Sequence, residues 1–190
     1  MVFLGDVAGK GAAAGLLMAA LEARLVAESE REGDLSGMIC RSNNAIMRVT
    51  DAAEFITLWT VIFDLENNKA HCVDSGHGYC VIVRVDGTIE QVEIEEGGPP
   101  IGVVPDYPYM DESVEFNPGD RMVIFSDGLA EQQGPDGNMF EFERAGGSAN
   151  VMFNYVGRRD QWGSWGHLQY QDEPVSSAPK FKAMLDYPGS

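Results

Sequence analysis

Basic residues are scarce in this chain. Lysine and arginine together number 13, against 30 aspartates and glutamates, which gives a formal net charge of −17 at pH 7. Such an acidic protein repels the phosphates of nucleic acids and of anionic lipids. The composition therefore argues against a nucleic acid partner. It suits metal cations or a basic partner surface, although most of these charges are typical of a soluble surface.

Cysteine is also rare. The chain has three cysteines, Cys40, Cys72 and Cys80, and no two of them are spaced as C-x-x-C. An odd number without paired spacing argues against a disulfide framework. The pattern instead predicts buried free thiols, as in cytoplasmic proteins.

Long hydrophobic runs are missing too. The longest apolar stretch covers residues 12–21, about half of the roughly 20 residues that a membrane-spanning helix needs. The opening Met-Val-Phe-Leu carries no basic residue, unlike the start of a signal peptide. The sequence thus predicts a cytoplasmic protein with no membrane segment.

The negative charge is unevenly distributed. Residues 1–145 contain 9 basic and 26 acidic residues, whereas residues 146–190 contain 4 of each. This change in composition predicts a boundary near Gly146, with one domain over residues 1–145 and a divergent or irregular tail over residues 146–190.

Hydrophobic periodicity changes along the chain. Apolar residues recur at helical spacing over residues 11–31 and, more weakly, over 36–49. From Phe55 onward, β-branched and aromatic residues alternate between turn signals. This pattern predicts three hairpins, formed by residues 55–63 with 70–74, 79–85 with 88–92, and 113–116 with 121–126. Helices followed by antiparallel hairpins predict the α+β class.

Two aspartates lie near glycines after short apolar runs: Asp6 in Gly-Asp-Val and Asp127 in Ser-Asp-Gly. Alone, such residues are more often turn or capping residues. Brought together by the fold, two carboxylates would suit Mg²⁺ or Mn²⁺, which prefer oxygen ligands.

Five ordered segments resemble the SpoIIE/RsbU-like branch of the metal-dependent (PPM-type) serine/threonine protein phosphatases. The first, GDVAGKGAAAGLLMA, covers residues 5–19. The others are the hairpins of residues 55–87 with Ser-Gly-His at 75–77, the GGPPIG loop at 97–102, FNPGD at 116–120 and IFSDGLAE at 124–131.

The resemblance implies an αββα phosphatase sandwich with largely antiparallel sheets and a two-metal site for Mn²⁺ or Mg²⁺. It also implies that a metal-bound water attacks the phosphate, so that no side chain serves as the nucleophile. Asp6 and Asp127 match metal-binding aspartates of the family, and Val7 matches the residue whose backbone carbonyl joins them. His77 is interpreted as a hydrogen-bonded turn residue rather than as a catalytic acid.

The chain departs from the family pattern in two places. The family's first aspartate lies in a GGD-[FW]-x-D segment upstream of the Gly-Asp-Val motif, and no such segment precedes Asp6. The family's last DD segment has only a weak counterpart at Asp172. We therefore expect a fold that is incomplete at its N-terminus, with activity impaired by missing metal ligands.

The resemblance predicts a phosphoserine and phosphothreonine protein phosphatase of bacterial partner-switching signalling. Its expected partner is a phosphorylated regulatory protein such as an anti-sigma-factor antagonist. The alternative from another class is a non-catalytic phosphoprotein-binding module derived from the same fold. The number of metal-binding carboxylates distinguishes the two hypotheses.

Overall fold

The structure, a computed structural model, describes residues 1–31, 33–50, 54–127 and 182–186. In chain order its elements are β1 (Val2–Val7), α1 (Ala12–Ser29), α2 (Leu35–Ile46), β2 (Ile56–Asp64), β3 (Lys69–Ser75), β4 (Cys80–Val83), β5 (Ile89–Gln91), β6 (Glu112–Glu115), β7 (Arg121–Phe125) and β8 (Lys182–Asp186). They divide between two compact units. One is Met1–Gly78 with Glu93–Phe116, and the other is Tyr79–Val92 with Asn117–Ser190.

The first unit contains an antiparallel sheet in the order β1-β2-β3-β6 together with both helices. Its central strands β2 and β3 form the predicted hairpin, whose register ends at Asp64 opposite Lys69. In the connecting turn, the Asp64 carboxylate accepts the Asn67 backbone N–H at 3.1 Å. Asn68 then adopts a left-handed φ of 53°. This local chemistry explains why the hairpin could be predicted from the sequence.

The core of this unit lies between the helices and one face of the sheet. Leucines of α1 spaced four residues apart point inward, as the periodicity predicted. Helix α2 begins at Asp34, whose carboxylate accepts the Gly37 N–H at 2.9 Å as an N-cap. The fully buried members of this core include Leu21, Leu25, Ile39, Ile46, Ile56, Leu58, Val73 and Ile101.

A buried carboxylate connects the two helices. Glu28 of α1 is 2% exposed, and its carboxylate accepts from Arg41 Nε of α2 at 2.6 Å. Arg24 and Arg31 also pair with it. The hydrogen bond from Arg41 lowers the pKa of Glu28 below the ordinary 4.5, and burial opposes that shift only in part. Glu28 therefore stabilises the helix pair in its ionised form.

We expect Glu28→Gln to lower the free energy of unfolding at pH 7 by about 1–3 kcal/mol, because a charge-assisted hydrogen bond network is lost. The folded-state pKa lies below the unfolded value, so the unfolded chain binds more protons as the pH falls. The difference between the two proteins should be complete above pH 4.5 and shrink as the pH drops below it. Urea denaturation at several pH values measures both effects. Glu22→Gln, on the same helix, is the control, and an equal loss in both variants would contradict this role of Glu28.

The second unit contains an antiparallel sheet in the order β5-β4-β7-β8. The predicted hairpin of β4 and β5 is confirmed, and its turn is held by Asp86, whose carboxylate accepts the Thr88 N–H at 2.9 Å. Arg84 beside this turn donates to Asp120 Oδ2 at 2.8 Å. Asp120 is 3% exposed at its side chain. The acidic end of the FNPGD segment therefore has a structural role.

The third predicted hairpin is wrong. Strand β6 pairs with β3 in the first sheet, where Glu115 lies opposite Lys69, and β7 pairs with β4 and β8 in the second sheet. The turn between them does form, since Asp120 N–H donates to the Asn117 carbonyl at 3.0 Å. Turn residues specify that the chain changes direction, but not which strands it joins. The short, half-exposed β6 suits a sheet edge, whereas the buried β7 needs a neighbour on each side.

Strand β8 was not predicted. Its backbone pairs antiparallel with β7 from Arg121↔Asp186 to Phe125↔Lys182. Thus at least one strand beyond residue 146 joins the second sheet. The sequence KAMLD shows too little alternation to identify a strand by itself.

The cysteines are free thiols, as predicted: Cys72 and Cys80 are buried and Cys40 is partly buried. Burial raises the pKa of Cys72 to about 12, so this thiol stays protonated and unreactive at neutral pH. Two helices and antiparallel sheets in the described ranges confirm the α+β class.

Candidate functional site

Asp6 and Val7 form the C-terminal end of β1. They pair with the beginning of β2, Asp6 opposite Thr57 and Val7 opposite Ile56, and both are half-buried. Beyond them the chain enters an exposed loop with positive φ at Gly9 before α1 begins. The strand therefore fixes the backbone of both predicted ligands beside a solvent-accessible loop.

The segments with Ser-Gly-His and Gly-Gly-Pro-Pro lie at this same end of the first sheet. Ile56 and Ile101 exchange backbone hydrogen bonds of 2.9 and 2.8 Å, which joins the second segment to the beginning of β2. Gly98 N–H donates to the Asp74 carbonyl at 2.8 Å, which joins it to the end of β3. Three of the five family-like segments thus meet in space. We call residues 74–78 and 97–101 the loop pair.

The glycines of the loop pair allow this close packing. Gly76 has a φ of +72°, and a Cβ there would lie 2.8 Å from Pro100 Cδ. A Cβ on Gly98 would lie 2.5 Å from the ring of the buried Tyr109. Either contact is too short for any side chain, so the glycine content of the two segments has a steric reason.

Tyr109 packs against the second segment of the loop pair, residues 97–101. Its hydroxyl donates to the Pro99 carbonyl at 2.9 Å, and the ring is almost fully buried. Burial raises the pKa of Tyr109, so the phenol keeps its proton and remains a hydrogen bond donor. Tyr109 is therefore a structural support of these loops.

His77 is the buried polar residue of the loop pair, with 5% of its surface exposed. The Asp74 carboxylate accepts the backbone N–H of His77 at 2.6 Å and that of Gly78 at 3.1 Å, which fixes the turn. His77 Nδ1 lies 3.1 Å from Thr57 Oγ1. The interpretation of His77 as a hydrogen-bonded turn residue is confirmed. Thr57 was missed, because only the strand register places it between His77 and Asp6.

Asp127 lies in the second unit. It follows β7 and the buried Ser126, and it is exposed. Its role as a metal ligand stays a prediction, as do those of Asp6 and Val7. Asp172 lies outside the described residues. Within the part of the chain that the structure describes, no three His, Cys, Asp or Glu side chains come together to hold a metal ion.

The donors at the end of β1 can be compared with the needs of a hard cation. The Asp6 carboxylate and the Val7 carbonyl are oxygen donors on adjacent residues beside an exposed loop. Mg²⁺ commonly keeps several waters and binds through one or two carboxylates and substrate phosphates. The donor chemistry therefore fits a hydrated divalent cation, although not one enclosed entirely by protein.

The SpoIIE family model, described as Stage II sporulation protein E, matches residues 1–151. The chain belongs to the SpoIIE family. The resemblance inferred from the five segments is thereby confirmed.

Relatives of known structure or function agree with this family assignment. The chain is 26% identical to the phosphoserine phosphatase RsbU of Bacillus subtilis over 132 residues, which are 68% of this chain and 38% of RsbU. It matches the PP2C phosphatase domain of SpoIIE from Bacillus subtilis with a TM-score of 0.56 and 25% identity, over 68% of this chain and 37% of that one. The catalytic domain of the serine/threonine phosphatase PstP, in complex with two manganese ions, matches with a TM-score of 0.55 and 20% identity over 70% of each chain.

These likenesses show that the SpoIIE-family chain has a PP2C-type fold, as predicted. The chain spans well under half the length of RsbU and of the SpoIIE structure. Among the helices in the described ranges, none combines the length and apolar character that crossing a membrane requires.

Proposed function

We propose that this chain is a Mn²⁺- or Mg²⁺-dependent phosphatase domain that hydrolyses phosphoserine and phosphothreonine monoesters on a regulatory protein. Membership of the SpoIIE family over residues 1–151 supports the reaction class. The observation that carries the proposal is the meeting of Asp6 and Val7 with the loop pair at one end of the first sheet. Family-like segments far apart in sequence thus lie at the same end of the first sheet as the candidate ligand pair, with β2 between them.

Asp6 and Val7 would hold a cation through the carboxylate and the backbone carbonyl. Asp127, by its match to the family motif, is proposed separately as a metal-binding carboxylate. A bound divalent cation supplies positive charge for phosphate oxygens and lowers the pKa of a coordinated water. The chain's own contribution is to fix oxygen donors on a paired strand beside an accessible loop. With a net charge of −17, the chain otherwise repels a phosphorylated substrate, so we expect phosphate binding to depend on the cation.

A phosphorylated protein of a partner-switching pathway, such as an anti-sigma-factor antagonist, is the substrate we propose. The relative named phosphoserine phosphatase RsbU supports this substrate class. We place the domain in the cytoplasm, which suits three free cysteines of which two are buried. The boundary between residues 1–145 and 146–190 remains a proposal, with β8 lying beyond it.

Hydrolysis of p-nitrophenyl phosphate by the purified chain, with Mn²⁺ and with chelator, tests this proposal. We expect slow Mn²⁺-dependent turnover that is lost with chelator and reduced at least about 100-fold in Asp127→Asn, as for a group that stabilises transition-state charge. Glu66→Gln, an exposed carboxylate in the β2–β3 turn, controls for the change in surface charge. A folded chain without Mn²⁺-dependent turnover, or equal turnover in Asp127→Asn, would count against a catalytic role.

A non-catalytic phosphoprotein-binding module is the second candidate. It is favoured by the observation that no group of three metal-binding side chains occurs in the described residues. This candidate predicts that the chain binds a phosphoserine peptide without hydrolysing it. Calorimetric titration with such a peptide, followed by assay of released phosphate, separates the two functions.

A further inference from the structure

We propose that His77 is a positioning residue for Asp6 and acts through the hydroxyl of Thr57. The three residues lie on different segments: Asp6 ends β1, Thr57 begins β2, and His77 follows β3. Their functional consequence rests on the proposed metal site, whereas their contacts exist without a metal.

Thr57 is the link in this arrangement. It is the register partner of Asp6 across β1 and β2. Its Oγ1 lies 3.1 Å from His77 Nδ1 and at the longer distance of 3.4 Å from the Asp6 carbonyl oxygen, to which it donates. The Asp6 carbonyl belongs to the peptide that leads into Val7. A constraint on this oxygen therefore orients the peptide between the two predicted ligands.

His77 cannot easily leave this position. Its side chain is buried, and its backbone N–H is held by the Asp74 carboxylate. The neighbouring Gly76 packs against Pro100 with no space for a side chain. The turn therefore holds the His77 ring in place, with Nδ1 next to Thr57 Oγ1.

Counting protons shows which tautomer of His77 the proposed link needs. A threonine hydroxyl has a single hydrogen, and when that hydrogen is donated to the Asp6 carbonyl, the other contact of Oγ1 must come from a donor. His77 must then carry a proton on Nδ1 and donate it to Oγ1. If Nδ1 lacked the proton, it would compete with the Asp6 carbonyl for the same hydrogen. The proposed link from His77 through Thr57 to the Asp6 carbonyl therefore requires the Nδ1–H form of His77.

The side-chain ¹⁵N spectrum of His77 in the metal-free, full chain tests this requirement directly. We expect a protonated Nδ1 at neutral pH, and a shift of its resonance in Thr57→Val, which keeps the shape and removes the hydroxyl. The backbone amides of Val7 and Ala8 should move in Thr57→Val and in His77→Phe, but much less in Thr57→Ser. An unprotonated Nδ1, or amides that do not respond, would overturn the proposal.

Mn²⁺ affinity, measured from the electron paramagnetic resonance signal of free Mn²⁺, tests the consequence. Thr57→Val and His77→Phe should each weaken binding about tenfold, the usual effect of removing a group that orients a metal ligand. Thr57→Ser, which keeps the hydroxyl, and His77→Asn, whose amide replaces Nδ1, should stay near the wild type. Because His77 acts on Asp6 through Thr57, the double variant should bind Mn²⁺ no more weakly than either single variant.

Additive losses in the double variant, or unchanged affinity in both single variants, would overturn the role of the pair. If the two residues had only a structural role, Thr57→Val and His77→Phe would lower stability, and Thr57→Ser and His77→Asn would not keep the Mn²⁺ affinity near that of the wild type. If the wild-type chain binds no Mn²⁺, the proposed metal function fails, while the metal-free spectra still decide whether His77 holds Asp6 through Thr57.

Discussion

Replacing Asp6 with asparagine is expected to raise the dissociation constant for Mn²⁺ at least about 100-fold, more than the loss of a residue that only orients a ligand. The substitution keeps the size of the side chain but exchanges an anionic donor for a neutral amide oxygen. Asp6 lies on a paired strand end next to Val7, and no group of three His, Cys, Asp or Glu side chains occurs in the described residues to take over its role. The signal of free Mn²⁺ during titration of the purified protein measures this change.

The control for Asp6→Asn is Glu66→Gln, which removes one negative charge from the exposed β2–β3 turn. If general attraction by the acidic surface held the metal, both variants would lose affinity equally. An unchanged Mn²⁺ affinity in Asp6→Asn would show that Asp6 is not a ligand of the metal. A loss confined to Asp6→Asn would support a specific ligand at the end of β1.

Gly98→Ala is expected to lower the free energy of unfolding by about 2–3 kcal/mol, the upper part of the range for overpacking a buried position. Its Cβ would lie 2.5 Å from the Tyr109 ring and 2.9 Å from that of Tyr107. Tyr109 cannot move away cheaply, because it is buried and its hydroxyl is bonded to the Pro99 carbonyl. Urea denaturation compares the variant with the wild type.

Gly97→Ala is the matched control for Gly98→Ala. The adjacent residue has room for a methyl group, since the nearest atom to its Cβ would be the Ile94 carbonyl oxygen at 3.5 Å. The two variants therefore change backbone entropy alike and differ in steric contact. Equal stability of the two variants would show that the loop pair is not packed as described.

The parts of the fold that could be predicted from the sequence are those in which local chemistry and pairing agree. The β2–β3 hairpin combines β-branched strands with a turn that Asp64 and Asn68 stabilise locally. The helices likewise follow their apolar spacing, and Asp34 caps α2. In these elements the partners are close in sequence, so periodicity and turn residues suffice.

The pairing of β6 with β3, rather than with β7, depends on contacts distant in sequence. A turn such as Asn117–Asp120 gives no information about which strands pair after it. Strand β8 was missed for a similar reason, since its partner β7 lies about 60 residues earlier. Neither result could follow from patterns within one segment.

The residues of the candidate site also differ in how far the sequence alone could point to them. Asp6 and Val7 could be proposed as metal ligands because the whole Gly-Asp-Val segment resembles a family motif, and the chain does belong to that family. Thr57 has no such signal: it is one of several threonines and lies in an ordinary run of β-branched and apolar residues in β2. Only the register of β1 against β2, together with the turn after β3, places its hydroxyl between Asp6 and His77.

The central claim is that a divalent cation binds at the end of β1, and its location can be measured directly. Substoichiometric Mn²⁺ broadens amide resonances close to the ion in a ¹H–¹⁵N spectrum of the chain. We predict that residues 6–8 lose intensity first, and that Asp6→Asn abolishes this effect. Broadening that instead begins in the exposed acidic segment of residues 93–96, or that persists in Asp6→Asn, would contradict a metal site at Asp6.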